Sequence, residues 1–225
     1  ELENAVILFD NFKGPLPEFP AGKPLFIFAS HFHADHYASV IFQLGEKREN
    51  VFYILSKEIG KKIPEEYRKR YKDRIRLGKA GERFCLNISE ESLIVETFHS
   101  TDEGVAFWLS CEGKEIYHAG DLNNWWWEGE DMAWNRNMAA SYKQEMKKLS
   151  GRTADLAFIP VDPRQEQWFY LGVAGFMEQA DTKWIFPMHF WEDYTIIPKL
   201  IEHPSSEGWR DRIVEIHKEG EEFIR

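Results

Sequence analysis

The densest concentration of chemically able side chains is His31-Phe32-His33-Ala34-Asp35-His36. Just upstream, Leu25-Phe26-Ile27-Phe28-Ala29 is an apolar, aromatic-rich run between Pro24 and Ser30, the composition of a buried strand. The histidines and the aspartate therefore sit in the loop beyond a strand's C-terminal end. His31 and His33 alternate with Phe32 and in extended chain share one face. Asp35 and His36 follow once the chain begins to turn, so they can address a second point nearby. Imidazole suits zinc, and a carboxylate beside it suits a centre that activates water. The pattern predicts two metal ions side by side, sharing a water. A lone histidine is most often a surface or satisfied core residue; four such residues in this order are not.

Four further candidates follow along the chain. His99 ends the predicted strand Leu93–Phe98, and His118 and Asp121 flank Ala119-Gly120 after Lys114–Tyr117. His189 follows Pro187-Met188 and repeats the grammar of strand, then ligand. Gly120 lets the chain turn sharply and bring the Asp121 carboxylate inward. A carboxylate has two oxygens and can bridge two cations, so Asp121 is the expected bridge. His118 either packs beneath the Gly-Asp turn or orients a ligand from behind. His203 and His217, in charged C-terminal segments, read as surface residues. Trp125-Trp126-Trp127 cannot all face one core; either at least one lines the rim of the site, Trp125 and Trp126 being the candidates, or they pack beneath the helix that follows.

The elements that must position these residues read as follows. Strands are expected at the start of the chain, at Pro24–Ala29, Val51–Leu55, Arg74–Leu77, Arg83–Leu86, Ser92–Phe98, Gly104–Cys111, Lys114–His118, Asp155–Val161, Lys183–Met188, Ile213–Lys218 and Glu222–Ile224. Helices are expected at Ala38–Leu44, Lys57–Lys72 (interrupted by Pro64), Trp127–Leu149, Leu171–Ala180 and Trp191–Glu202. Glu112-Gly113 is a tight hairpin. The expected fold is one α/β domain over residues 1–225, two mixed sheets face to face with helices outside, a four-layer αββα sandwich. Ligands from strand-end loops would meet on one edge.

The ordered set resembles the metallo-β-lactamase-fold hydrolase superfamily, whose signature runs His-x-His-x-Asp-His, a single His, an Asp in a Gly-Asp turn and a final His. His31, His33, Asp35, His36, His99, Asp121 and His189 match it. The resemblance covers nearly the whole chain. It implies His31, His33 and His99 on one metal, Asp35, His36 and His189 on the other, and Asp121 between them. The run from His118 to Trp125, with Pro187-Met-His-Phe-Trp191, is similar to a bacterial branch near the ascorbate-6-phosphate-lactonase-like enzymes. Three departures stand out. His99 is followed by Ser100-Thr101-Asp102-Glu103-Gly104 where the family has a Pro-Gly or Ser-Gly turn. The family's first strand and loop are expected to be missing from this chain. The recognition arm of tRNA-processing members is not visible.

The expected activity is that of a dinuclear hydrolase with two zinc ions, iron or manganese being alternatives. A metal-bridging hydroxide, formed near neutral pH, would attack a small ester, lactone or phosphoester, with Asp35 and Asp121 as the catalytic carboxylates. The rival readings are a redox member of the fold carrying iron, disfavoured by His33 where the di-iron branch has Glu, and a metal-holding protein without turnover. The 225 residues carry a net charge of −10, which argues against nucleic acid as a partner and for a small molecule. No run reaches the ~18 apolar residues of a membrane span. There is no signal-peptide pattern, and only Cys85 and Cys111 are present. A reduced, cytoplasmic protein is therefore expected. Nothing in the sequence specifies an oligomer.

Overall fold

A computed structural model describes residues 1–88 and 91–224. Four strands, β1 (Val6–Phe9), β2 (Leu25–Ala29), β3 (Val51–Ser56) and β4 (Ile75–Gly78), form one sheet in that order. All its pairings are parallel. Six more form a second sheet: β5 (Arg83–Ile88), β6 (Glu91–His99), β7 (Val105–Cys111), β8 (Lys114–His118), β9 (Thr153–Pro160) and β10 (Asp181–Met188), ordered β10-β9-β8-β7-β6-β5. Here β5 to β8 run antiparallel, whereas β8, β9 and β10 are parallel. The smaller sheet is thus parallel rather than mixed, because each connection within it crosses over through a loop or short helix.

Period-two alternation builds the layers. In β2, Phe26 and Phe28 enter the core between the sheets with Ile54, Val95, Phe107 and Leu109. Leu25, Ile27 and Ala29 face the other way, under Ile41, Phe42, Ile59 and Tyr71. In β7, Phe107 and Leu109 face the other sheet, and Ala106 and Trp108 face the helices. Strands covered on both faces read as unbroken apolar runs, as these do. The short helices α1 (Leu44–Lys47) and α2 (Glu65–Arg70) cover the parallel sheet, while α3 (Met132–Met146), α4 (Leu171–Met177) and α5 (Ile196–Glu202) cover the mixed one. This is the expected α/β, four-layer architecture.

Four expected elements differ. Helix α3 begins at Met132, not Trp127, because the Asp131 side chain caps it by accepting from the Trp134 amide at 2.7 Å. The helix expected over Trp191–Glu202 is confined to α5, because Trp191 and Glu192 have φ of 52° and 65°, which no right-handed helix tolerates. The C-terminal strands reduce to a bridge between Ile213 and Ile185; Glu222–Ile224 makes no strand. The Glu112-Gly113 hairpin is as expected, with both residues left-handed at 53° and 68°. Among the described residues no helix is long and apolar enough to cross a membrane.

Candidate metal centre

Strands β1, β2, β8, β9 and β10 all deliver polar residues to one edge at their C-terminal ends. Beyond β2, Ser30 anchors the loop: its backbone carbonyl accepts from the Val105 amide at 3.0 Å. Its own amide and hydroxyl each donate to Asp10 at 2.7 Å. The chain then winds through one turn, with the His36 and Tyr37 amides donating to the His33 carbonyl at 3.0 and 2.9 Å. That turn separates His31 and His33 from Asp35 and His36.

Two groups of potential ligand atoms result, each with all its members within 4.8 Å of one another. One is His31, His33, Asp102 and Asp121; the other is Asp35, His36 and His189. Asp121 faces both. Its Oδ2 lies 3.5 Å from His31 Nε2, and its Oδ1 lies 3.1 Å from His36 Nε2 and 3.5 Å from His189 Nε2. Gly120 makes this approach possible. It is left-handed, with φ of 51°, and a Cβ there would come within 2.6 Å of the Ser30 Cβ.

His99 is where expectation and structure part. It is exposed at the end of β6, paired in register with Val105, and lies in neither group. Its place is taken by Asp102. The Asp102 amide donates to the Ser100 Oγ at 3.1 Å, and its carboxylate Oδ2 comes to 3.7 Å from His33 Nδ1. The physical reason is the loop: Ser100–Gly104 continues past the strand end and folds back over Ser30, and left-handed Gly104 packs directly against the Ser30 carbonyl. The residue at the turn, not the one on the strand, is brought inward.

Two carboxylates that the sequence reading did not single out stand behind the imidazoles. Asp10, just past β1, accepts from His36 Nδ1 at 2.7 Å. Asp162, just past β9, accepts from His189 Nδ1 at 2.9 Å. Each fixes the ring so that Nε2 faces the centre, the arrangement that orients metal-binding imidazoles. Both follow the same pattern of apolar strand, then acid, as the primary motif, and that pattern was the signal available for finding them. His118 packs beneath the Gly-Asp turn, as one reading expected. It stacks on Phe9 with ring centroids 4.4 Å apart, and its Nδ1 accepts from the Gly120 amide at 3.2 Å.

Burial and charge set the protonation states of the metal-free protein. Burial pushes His31 and His118 down to about 4. For His36 burial also acts downward, but the Asp10 and Asp121 carboxylates on either side prevail and push it up to about 10. Burial would raise Asp10, Asp121 and Asp162; their histidine neighbours, with Ser30 for Asp10 and Arg164 for Asp162, hold all three below the usual carboxylate range. Asp102 is raised, by burial and by the charge of Asp121.

The donor set fits metal ions. His36 Nε2 and Asp121 Oδ1 are both buried, face each other, and make no hydrogen bond to any partner among the described residues. Such orphaned polar atoms are costly to bury unless something else satisfies them. The four imidazoles and three carboxylates of the two groups, five of them lining one cavity, are a donor set that a cation would satisfy.

That cavity, of about 310 Å³, opens over the two groups. Its wall is aromatic: Trp125, Trp127, Trp134 and Trp191. The Trp125 ring is buried, donates from Nε1 to the Asp121 carbonyl at 2.9 Å, and stacks on Trp127 at 5.7 Å. Of the tryptophan run, Trp125 and Trp127 therefore line the site. Trp126 turns away and packs on Trp168 at 5.2 Å.

No family model matches the chain, and no curated protein matches it in sequence. Among solved structures it is similar to CmlA, described as a diiron β-hydroxylase from Streptomyces venezuelae. The TM-score is 0.53 and the identity 11%, over 88% of this chain and 44% of that one. This chain thus spans less than half the length of that protein. A Thermotoga maritima protein named for a Zn-dependent hydrolase of the metallo-β-lactamase superfamily matches with a TM-score of 0.31 and 12% identity, over 75% of this chain and 60% of that one. The likeness to CmlA is one of fold.

Proposed function

We propose that this chain is a dinuclear metal-dependent hydrolase acting on a small ester, lactone or phosphoester. The observation that carries this reading is Asp121, whose two oxygens face two separate ligand groups at the floor of one cavity. His31, His33 and Asp102 would hold one ion, Asp35, His36 and His189 the other, with Asp121 shared. Bound there, the ions would supply Lewis acidity and make water nucleophilic near neutral pH.

The chain's own residues do the rest. Asp10 and Asp162 keep the His36 and His189 rings oriented. Asp35 is partly exposed to the cavity and can accept a hydrogen bond from an attacking water. The tryptophan wall excludes bulk water and offers flat apolar surface to the substrate. The test is elemental analysis of the purified protein with a panel of esters, lactones and phosphodiesters. Zinc near two per chain, and turnover lost on chelation and restored by zinc, are expected; turnover indifferent to chelation would refute the reading.

A second reading has its own support. With Asp102 in place of His99, each group has two imidazoles and a carboxylate plus the shared Asp121, a donor set that also suits non-haem iron. The fold likeness to a diiron hydroxylase is compatible with it. Purification with iron, and dioxygen consumption with a reductant in place of hydrolysis, would select it.

A further inference from the structure

One group at the cavity is used by neither ligand set. Among the described residues, Arg164, just after β9, is the one permanently charged cation lining the cavity, beside Asp35, Asp102 and Asp121. Its backbone amide donates to Asp162 Oδ1 at 2.9 Å, and its Nε and Nη2 grip the same carboxylate, Nη2 at 2.5 Å from Oδ2. Its guanidinium also lies 4.6 Å over the Trp191 ring and 5.9 Å from that of Trp127. These contacts fix the plane of the group.

They do not consume it. A guanidinium has five N–H donors, and Nη1 has no hydrogen-bond partner among the described residues. The side chain is 53% exposed, whereas the Asp162 carboxylate is 0% exposed. Asp162 is already served by His189 at 2.9 Å and by Trp191 Nε1 at 3.3 Å. Neutralising Asp162 therefore accounts for one edge of the fork. The other edge leaves a charged donor pair free on a residue that lines the cavity, the geometry that recognises an oxyanion. Trp134, 37% exposed on α3, lines the same cavity with Trp127.

We propose that Arg164 determines specificity. Its free edge receives one carboxylate of the substrate, while a ring-bearing body of the substrate lies against Trp127 and Trp134. The inference rests on the reading of this cavity as the substrate site. It narrows that substrate to a small aromatic or alicyclic ester or lactone carrying a free carboxylate.

The test is calorimetric binding to the zinc-loaded protein, with no turnover required. Phenylacetate and its neutral isostere phenylacetamide are the probes. The wild type should prefer phenylacetate by about tenfold or more, the order of one charge-assisted contact. Arg164→Gln should bring the two probes to within about threefold of each other, chiefly by weakening phenylacetate, with zinc content followed by elemental analysis. Trp134→Leu should weaken both probes by a similar factor. An undiminished preference in Arg164→Gln would place the carboxylate on the metals and overturn the proposal. An equal loss for both probes would reduce Arg164 to a support for Asp162 and overturn it too. Should Arg164→Gln shed zinc, Arg164→Lys, which keeps a cation beside Asp162, carries the same comparison: a reduced preference supports the proposal and an unchanged one refutes it. Discrimination without hydrolysis would sink only the hydrolase reading; hydrolysis without discrimination would sink only this one.

Discussion

The two ligand groups are made of similar residues and built quite differently. In the group of Asp35, His36 and His189, both imidazoles are buried, and each is braced from behind by a buried carboxylate, Asp10 or Asp162. In the other, His31 is buried against the Ser30 hydroxyl at 3.0 Å, but the His33 and Asp102 side chains are 40% and 47% exposed with no such brace. Preorganised ligands lose less freedom when they bind, and a carboxylate behind an imidazole makes it a stronger donor. The braced group should therefore hold its ion tightly and the open group loosely, so that the second is the one exchanged, lost on dialysis, or filled by a different metal.

Asp121→Ala is the change that most directly erases the comparison. It removes a ligand common to both groups, and elemental analysis should find both ions lost or nearly so. His118→Ala, by contrast, should leave both in place. If Asp121→Ala retained one tightly bound ion, the shared role would be wrong. Next in size are the braces. Asp162→Asn should weaken the braced group by about 10–100-fold in a chelator competition, with the open group unaffected, and Asp10→Asn should weaken the braced group as much. Equal weakening of both groups would show that the asymmetry is not where we place it. On the open side, Asp102→Ala should lower occupancy from two ions to one, while His99→Ala leaves it unchanged; the reverse result would restore His99 as the ligand.

Acidity sharpens the same contrast. His36 in the metal-free protein has a pKa raised from 6.5 to about 10. The sign follows directly: the protonated ring favours the metal-free fold below pH 6.5, and that contribution fades as pH rises through about 10. Metal uptake at this ring expels its proton, so affinity of the braced group should rise with pH by up to about tenfold per unit across that window. Competition titrations at several pH values would check this, and a flat profile would contradict it. The smallest effect belongs to the tryptophan run. Trp127→Ala should shift substrate preference, whereas Trp126→Ala, whose ring packs on Trp168 away from the cavity, should leave preference and metal content alone.

Much of this was legible in the residues. The strand-then-ligand pattern placed His31 to His36 and His189 at one edge of the fold, and the Gly120-Asp121 turn placed Asp121 between the two groups. What failed was local backbone geometry. His99 sits on the strand as read, but no pattern of polarity reveals that the loop beyond it folds back far enough to bring Asp102 in its stead. The chain at Trp191 and Glu192 has the composition of a helix; left-handed φ values there depend on the tertiary fit around His189 and are invisible to periodicity. Asp10 and Asp162 were missed because their partners lie 26 and 27 residues away along the chain, joined to them only by the folded sheet edge.

The order in which the ligands occur along the chain sets a timetable for assembly. His36 emerges early in synthesis, but its companion His189 lies on the far side of the mixed sheet, after β10. The braced pocket cannot close until nearly the whole polypeptide is available, and contacts so distant in sequence form slowly. Until then the nascent histidines offer only fragments of a site. Selection of an ion would thereby be deferred to a folded molecule whose geometry can discriminate, rather than left to whichever cation first meets an unfinished chain.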